Sequence, residues 1–292
     1  KDYAVIGAVP VDAKGITYIY GRQSCDTRSM EGGDIDVGNA KFGGQEAMVV
    51  FENVFIPNNL IFMDGEYDYA SMLVERFTTY HRRSYVCKSG VGDVLIGAAA
   101  AVSEMNGVQK ASHIKDKLVE MSHLNETIYG TGIASSYQGF ETKSGCYQCD
   151  GMLSNVCKHH VTKLPFQISQ IAQDLGGGNV STLPSEKDLN HPEIGKLLKK
   201  YLKGNKDYSS EDRIRVLRLI ENMTMGRNAV GYLTESVHGA GSPQAQRIQI
   251  GRMMQLEYKK RLAKVLAGIK ISNSKNDLVN ELGDYFERVF KV

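Results

Sequence analysis

The sequence predicts an α+β chain that is mainly helical, with a short β part before a long helical part. Short apolar runs rich in β-branched and aromatic residues end at prolines or polar turns within roughly the first sixty residues. Beyond Asp64 the apolar residues recur at helical spacing over long segments. Three or so strands form a poor independent sheet. We therefore expect residues 1–64 to be the later half of a β-domain and residues 65–292 to be a helical domain.

The individual elements follow from local patterns. Strand regions are predicted at 3–10, 16–20 and 47–57, and a connection rich in Gly, Asp and Ser, about 21–44, separates the last two. The segment after Ser209 has an acidic first turn that suits a helix start. It places one apolar stripe along the helix, formed by Ile214, Leu217, Ile220 and Met223. The predicted helical segments are about 67–105, 111–141, 150–175, 191–203, 210–238, 243–268 and 275–291.

Composition excludes several classes of protein. The net charge is +2 and the charges are interspersed, so no nucleic-acid-binding surface is expected. No apolar run reaches about 18 residues, so a membrane span is not expected, and five cysteines form no extracellular disulfide framework. These features predict a soluble cytoplasmic protein. The chain opens directly in a strand pattern without Met, and we expect an N-terminal portion to be missing.

The stretch Tyr80–Lys88 gathers an imidazole, phenols, a thiol and an amine into nine residues. His81 and Tyr85 are four apart and share a face of a helix. Cys87 is six from His81 and would point well away from it on a regular helix. A metal site that uses both requires a break or bulge between them. The alternative is a polar helix with a buried cysteine and a hydrogen-bonded histidine.

A second group of possible metal ligands follows later in the chain. Cys146 and Cys149 form a CxxC pair, with Cys157, His159 and His160 nearby. A structural zinc site is one interpretation. Ordinary thiols near a turn are the favoured one, because the spacing is short and no second CxxC pair follows.

Two helix ends are rich in glycine. Gln173 precedes Gly176, Gly177, Gly178 and Asn179, whose amides could cradle a pyrophosphate, although a helix C-cap needs only one glycine. Glu235 and His238 stand at the other end, where they could reach a cofactor pocket or simply precede a helix stop. Glu46 precedes the clearest strand, where an acid is usually solvated.

Taken together, these motifs resemble the 4-hydroxybutyryl-CoA dehydratases, which are related to the flavin-dependent 4-hydroxyphenylacetate hydroxylases. The resemblance runs over nearly the whole chain and is most specific at Tyr80–Asn106, Gln173–Ser185 and Glu235–Gln246. It implies an acyl-CoA-dehydrogenase-like fold, in which this chain holds the later strands of a central β-domain and a C-terminal helical bundle that assembles a homotetramer. The N-terminal helical domain would be the missing portion.

The resemblance also implies cofactors and site residues. FAD and a [4Fe–4S] cluster would support radical dehydration of 4-hydroxybutyryl-CoA to crotonyl-CoA and isomerisation of vinylacetyl-CoA. His81 and Cys87 would be two cluster ligands, and two cysteines of the N-terminal domain would be the others. In the family pattern this His-to-Cys gap is one residue longer, with two glycines where this chain has only Val86. The remaining implied active-site residues are Tyr85, Lys88, Glu46 and Glu235, and the Gln173–Gly178 loop would contact flavin across a subunit interface.

Three alternatives remain at this point. The first is a flavin-dependent aromatic monooxygenase on the same fold, which needs no cluster. The second is a cluster-less vinylacetyl-CoA isomerase. The third is a tetrameric scaffold fragment that is inert without its N-terminal partner.

Overall fold

Short strands form the first part of the chain in a computed structural model, which describes residues 4–21, 35 and 46–269. Strands β1 (Val5–Gly7) and β4 (Ile61–Asp64) pair antiparallel, as do β2 (Ile16–Tyr20) and β3 (Ala47–Phe51). The three predicted strand regions are confirmed, the second at its predicted length and the first and third shorter than predicted. β4 was missed because the predicted third strand was ended at a proline, after which the chain turns and pairs back onto β1.

Helices make up most of the remainder, as predicted. Their bounds are α1 Ala70–Ser84, α2 Lys88–Met105, α3 Ser112–Tyr137, α4 Gly151–Val161, α5 Leu164–Gly176, α6 Glu186–Asn190, α7 Ile194–Tyr201, α8 Ser210–Thr224, α9 Glu235–His238, α10 Pro243–Met253 and α11 Leu256–Leu266. A short hairpin of β5 (Phe140–Glu141) and β6 (Tyr147–Gln148) separates α3 from α4. The helix predicted over 275–291 lies outside the described residues.

Several predicted helices are broken, each for a local reason. The segment 150–175 divides before Pro165, whose ring is tolerated only in the first turn of a helix. The segment 243–268 divides at Gln255, which adopts a left-handed φ of 48°. The segment 111–141 was predicted too long, because its last residues enter β5. The segment 210–238 contains a π-helix at Val230–Thr234, just before α9.

Four helices, α2, α3, α5 and α8, pack around the main apolar core. Three residues of the stripe predicted on α8 are buried there, and the fourth, Ile214, is buried in a separate cluster with Leu189. The Ser209 side chain caps this helix together with Asp212. The small residues of α2 include Ala98 and Ala99, both buried, and they allow the neighbouring helices to approach closely. A second group, α1, α4 and α10, packs beside α3. The site described below lies between these two groups.

The stretch Tyr67–Met105, which contains α1 and α2, is long and apolar enough to cross a membrane by length and composition alone. No such stretch was expected from the sequence. Leu95, Ala99 and Val102 of this stretch belong to the buried core, which is what an apolar core helix requires.

Candidate active site

The chain joins α1 to α2 through one turn of 3-10 helix, Tyr85–Cys87. Side chains six apart on a regular helix point about 120° away from each other. Three 3-10 steps of about 120° reduce that divergence to about 60°. The turn therefore brings His81 and Cys87 towards the same side of the chain, and the break that their spacing demands is present.

Tyr85 is buried at the centre of the site, and Glu235 is its main partner. The Tyr85 hydroxyl donates a hydrogen bond of 2.5 Å to Glu235 Oε1. Lys88 Nζ lies 3.2 Å from the other carboxylate oxygen and donates to the Gly231 carbonyl at 2.7 Å. Gly231 belongs to the π-helix, so two irregular helical segments place the three side chains. π-Helical turns occur frequently at functional sites.

Burial and hydrogen bonding set the protonation state of the phenol. Burial raises the pKa of Tyr85, and the hydrogen bond to Glu235 raises it further. The charges of Cys87 and Glu46 act in the same direction, so both groups lie within electrostatic range of the phenol. Tyr85 is therefore a neutral hydrogen-bond donor at physiological pH. Glu46, predicted to be solvated if it has no role, is exposed but belongs to this electrostatic environment.

Gly239 closes one side of the Tyr85–Glu235 contact with its backbone. A Cβ atom built on Gly239 would overlap the Tyr85 hydroxyl and Glu235 Oε1, and would lie 3.0 Å from Tyr85 Cζ. The backbone at this position has φ −54° and ψ 138°, which any residue can adopt. The requirement for glycine here is thus one of space and not of backbone conformation.

Two buried cations beside Tyr85 were missed by the sequence analysis. Arg82 Nε donates to the Ala240 carbonyl at 3.0 Å, and its Nη1 donates to Asn155 Oδ1 at 2.8 Å. Lys158 is fully buried, and its Nζ lies 4.2 Å from the centroid of the Tyr85 ring. A signal for Lys158 exists in the sequence: it follows Ser154 by four residues, on a face of α4 that is otherwise small or apolar.

His81 and Cys87 lie at the open edge of the site. The His81 ring contacts the rings of Phe77 and Tyr85, at centroid distances of 5.7 Å and 5.5 Å, and Cys87 is exposed. The alternative of a buried cysteine is therefore wrong for Cys87. Within the described part of the chain, no group of three or more His, Cys, Asp or Glu residues could hold a metal ion. These two donors fit a shared site that takes its other ligands from elsewhere, and they do not make a complete one.

In the loop Gln173–Asn179, local structure alone explains two of the three glycines. A Cβ atom on Gly176 would crowd the Val180 side chain, and Gly177 adopts a φ of 72°. Gly178 meets nothing within 4 Å and begins a 3-10 turn with Asn179, while the Gln173 carbonyl accepts from the Gly177 amide at 2.8 Å. The loop packs on α8. The structure does not bring it to the His81 side within one chain.

The other candidate ligands are dispersed. Cys146 is exposed in the β5–β6 hairpin region, Cys149 is buried beside it, and Cys157 is buried in α4, where burial raises the pKa of its thiol to about 12. Burial lowers the pKa of both His159 and His160. His238 is exposed at the end of α9. These environments agree with the favoured interpretation of ordinary thiols.

The model of the 4-hydroxyphenylacetate 3-hydroxylase C-terminal domain matches residues 70–268, and that of the N-terminal domain matches residues 1–63. The chain belongs to this family. Within it, the chain is 56% identical over 280 residues to the 4-hydroxybutyryl-CoA dehydratase/vinylacetyl-CoA-Δ-isomerase of Clostridium aminobutyricum, covering 92% of this chain and 57% of that protein. The predicted resemblance is confirmed.

Solved structures of the 4-hydroxyphenylacetate 3-hydroxylase family agree. An oxygen-tolerant archaeal 4-hydroxybutyryl-CoA dehydratase from N. maritimus matches with a TM-score of 0.91 and 66% identity, over 100% of this chain and 58% of that one. The oxygenase component of 4-hydroxyphenylacetate 3-monooxygenase, complexed with FAD and 4-hydroxyphenylacetate, matches with a TM-score of 0.77 at 21% identity, over 91% of this chain and 56% of that one. The second likeness shows a shared fold. The chain spans less than two thirds of each of these relatives.

Proposed function

We propose that this chain is part of an enzyme that dehydrates 4-hydroxybutyryl-CoA to crotonyl-CoA and isomerises vinylacetyl-CoA, with FAD and a [4Fe–4S] cluster. The observation that carries the proposal is the contact of Tyr85, Glu235 and Lys88 beside the partly buried His81 and the exposed Cys87. Identities of 56% and 66% to proteins named as such dehydratases support it. Monooxygenase relatives share only 20–23% identity, which makes the aromatic monooxygenase the weaker alternative.

The two cofactors would supply one-electron chemistry, from the flavin, and Lewis-acid activation of the substrate hydroxyl, from the cluster. His81 and Cys87 would hold the cluster together with two cysteines outside this chain. The exposed Gly177 and Gly178, with Gln173, Gly176 and Asn179, would contact the flavin of a neighbouring subunit in a homotetramer. A related protein with the same fold is described as complexed with FAD, which supports the flavin assignment.

The chain's own residues would handle the protons of the acyl-CoA substrate. His81 and Glu46 are the candidates to take a proton from the carbon next to the thioester. The neutral Tyr85 hydroxyl and the Lys88 ammonium would stabilise negative charge that develops on the thioester oxygen. Glu235 would hold both donors in place, because its two carboxylate oxygens bind one each.

The finer organisation of the protein forms part of the same proposal. Residues 1–64 would be the later half of a central β-domain, and residues 65–292 an acyl-CoA-dehydrogenase-like helical bundle, in a cytoplasmic enzyme. The family models meet between residues 63 and 70, which supports a boundary there.

The test is anaerobic purification of the whole gene product, followed by visible and electron-paramagnetic spectra with iron and flavin quantified. We expect flavin, about four irons per subunit for a cubane cluster, and formation of crotonyl-CoA. An iron-free preparation that consumes oxygen with reduced flavin would instead identify an aromatic monooxygenase. Isomerase activity without iron would identify the cluster-less isomerase.

The inert-scaffold alternative needs a separate comparison. Residues 1–292 alone would be mixed with flavin, with and without the N-terminal portion that we propose for the whole protein. Flavin binding that appears only after the N-terminal portion is added would show that both parts form the flavin site together.

A further inference from the structure

We infer that Lys158 is a positioning residue that holds the Tyr85–Glu235 pair in its working geometry from behind. This inference rests on the proposed function, because it assigns Lys158 a part in the same site. Lys158 lies on α4, a different element from every residue assigned to the site above. Its ammonium group stands where the 3-10 turn that carries Tyr85 meets the helix that carries Glu235.

Two contacts define the position of the ammonium group. Nζ donates a hydrogen bond to the backbone carbonyl of Ser236, the residue next to Glu235. It also faces the Tyr85 ring at 4.2 Å from the centroid, closer than Lys88 at 5.4 Å. A cation at such a distance attracts the ring face, most strongly when both are desolvated. One charged group thus contacts the Tyr85 ring and the backbone carbonyl next to Glu235.

The Ser236 carbonyl is well suited to a cation. α9 ends at His238, two residues after Ser236. The Ser236 carbonyl therefore lies in the last turn, where carbonyl oxygens have no helical amide as a hydrogen-bond donor. A positive charge at a helix C-terminus is also favoured by the helix dipole. Lys158 therefore fixes the backbone of α9 at the position where the Glu235 side chain leaves it.

Packing alone does not explain a lysine here. The side chain has no exposed surface, and among the described residues its one polar partner is a carbonyl oxygen. Burying an ammonium group without a directly bound carboxylate is costly, and an apolar side chain of similar volume would be cheaper. The cost is consistent with a functional constraint on this position.

The surroundings of Lys158 lower its pKa and so favour the neutral amine over the ammonium form. Burial lowers the pKa of Lys158 to about 8, and the charges of Lys88 and Arg82 act in the same direction. The charge of Glu235 and the Cys157 thiol act in the opposite direction and raise the pKa. The Tyr85 ring is the other group that faces Nζ. Lys158 is therefore charged below about pH 8 and becomes neutral above it.

The test compares Lys158→Met and Lys158→Arg with the wild-type enzyme, in the complete cofactor-loaded protein. Lys163→Met is the matched control, because Lys163 is exposed just after the same helix. Loss of the ammonium group would let the phenol shift, and a misplacement of roughly 1 Å costs about 10²-fold in rate. We expect Lys158→Met to lower kcat by about 10²-fold and to change KM by less than about threefold.

The pH profile separates charge from shape. Wild-type kcat should fall as pH rises through about 8. Lys158→Arg keeps a charge at all accessible pH values, so it should restore most of the rate and remove that alkaline fall.

A third measurement does not depend on activity. Fluorotyrosine placed at position 85 gives a fluorine NMR line that should move in Lys158→Met and stay unmoved in Lys163→Met. A Lys158→Met enzyme with wild-type kcat and an unmoved line would overturn the inference. Absence of dehydration in the wild-type enzyme would refute the proposed function instead, and the NMR comparison would still decide the role of Lys158.

Discussion

Replacing Gly239 by alanine tests whether the Tyr85–Glu235 contact is needed for turnover. The backbone conformation at Gly239 is open to any residue. Without the steric overlap, alanine would therefore stabilise the fold by about 0.4–1 kcal/mol, because it lowers the conformational entropy of the unfolded chain. The new methyl group, however, overlaps the Tyr85 hydroxyl and the Glu235 carboxylate. Overpacking of this kind costs about 1–3 kcal/mol. We therefore expect a net loss of about 1–2 kcal/mol in the free energy of unfolding.

The effect of Gly239→Ala on rate should be larger than its effect on stability. The phenol must withdraw by more than about 1 Å to clear the methyl group, and even a displacement of about 1 Å costs about 10²-fold in kcat. Crotonyl-CoA formation and urea unfolding measure the two effects. Gly97→Ala is the matched control, because Gly97 lies exposed on α2 with nothing within 4 Å, and it should gain about 0.8–1 kcal/mol with unchanged kcat. Wild-type kcat in Gly239→Ala, with normal iron and flavin, would refute the role of the contact.

Four further outcomes are expected. Tyr85→Phe removes one donor and should lower kcat by about 10²–10³-fold with normal iron content, whereas full activity would show that the hydroxyl is dispensable. His81→Ala should lose both dehydration and iron, and wild-type iron by atomic absorption would reject His81 as a ligand. Gly92→Ala should destabilise the fold by about 1–3 kcal/mol in urea, because the added Cβ displaces the buried Asn125 side chain from its hydrogen bonds. Finally, the pKa of Lys158 is lowered from 10.5 to about 8 in the folded protein, so between these values the unfolded chain binds more protons than the folded one. The free energy of unfolding of the wild type should therefore rise with pH over that interval relative to Lys158→Met. Parallel profiles for the two proteins would contradict the lowered pKa of Lys158.

The sequence predicted helices and strands well wherever one pattern persisted. The stripe on α8 is buried as expected, since Ile214 and Leu217 recur at helical spacing after a capping box. The breaks were not predicted, because they depend on single residues such as Gln255 and on the tertiary contacts that surround the π-helix. Strand β4 was missed because the predicted third strand was ended at Pro57, and the partner of the short run that follows, β1, lies more than fifty residues away.

The candidate site was predicted in part. Tyr85, Lys88 and Glu235 were named from the resemblance, and the structure brings these three side chains together. Lys158 was missed because a lysine in an amphipathic helix is normally solvated, and its place on the small and apolar face of α4 was not weighed. The glycine loop was expected to contact flavin across a subunit interface, which a single chain does not test; within this chain it packs on α8. The roles of all these residues remain predictions.

The crowding at Gly239 makes two distant positions of the chain dependent on each other in evolution. With the Tyr85 hydroxyl present, a side chain at Gly239 overlaps it, so the glycine cannot drift while the phenol is kept. Once phenylalanine replaces Tyr85, the remaining ring atom is Cζ at 3.0 Å, and the Glu235 carboxylate, no longer bound by the phenol, is the flexible end that must move aside. The order of substitution therefore matters, and the effects of the two changes should not add. Relatives that keep the phenol are expected to keep the glycine, and alanine at this position should mark lineages that have abandoned it.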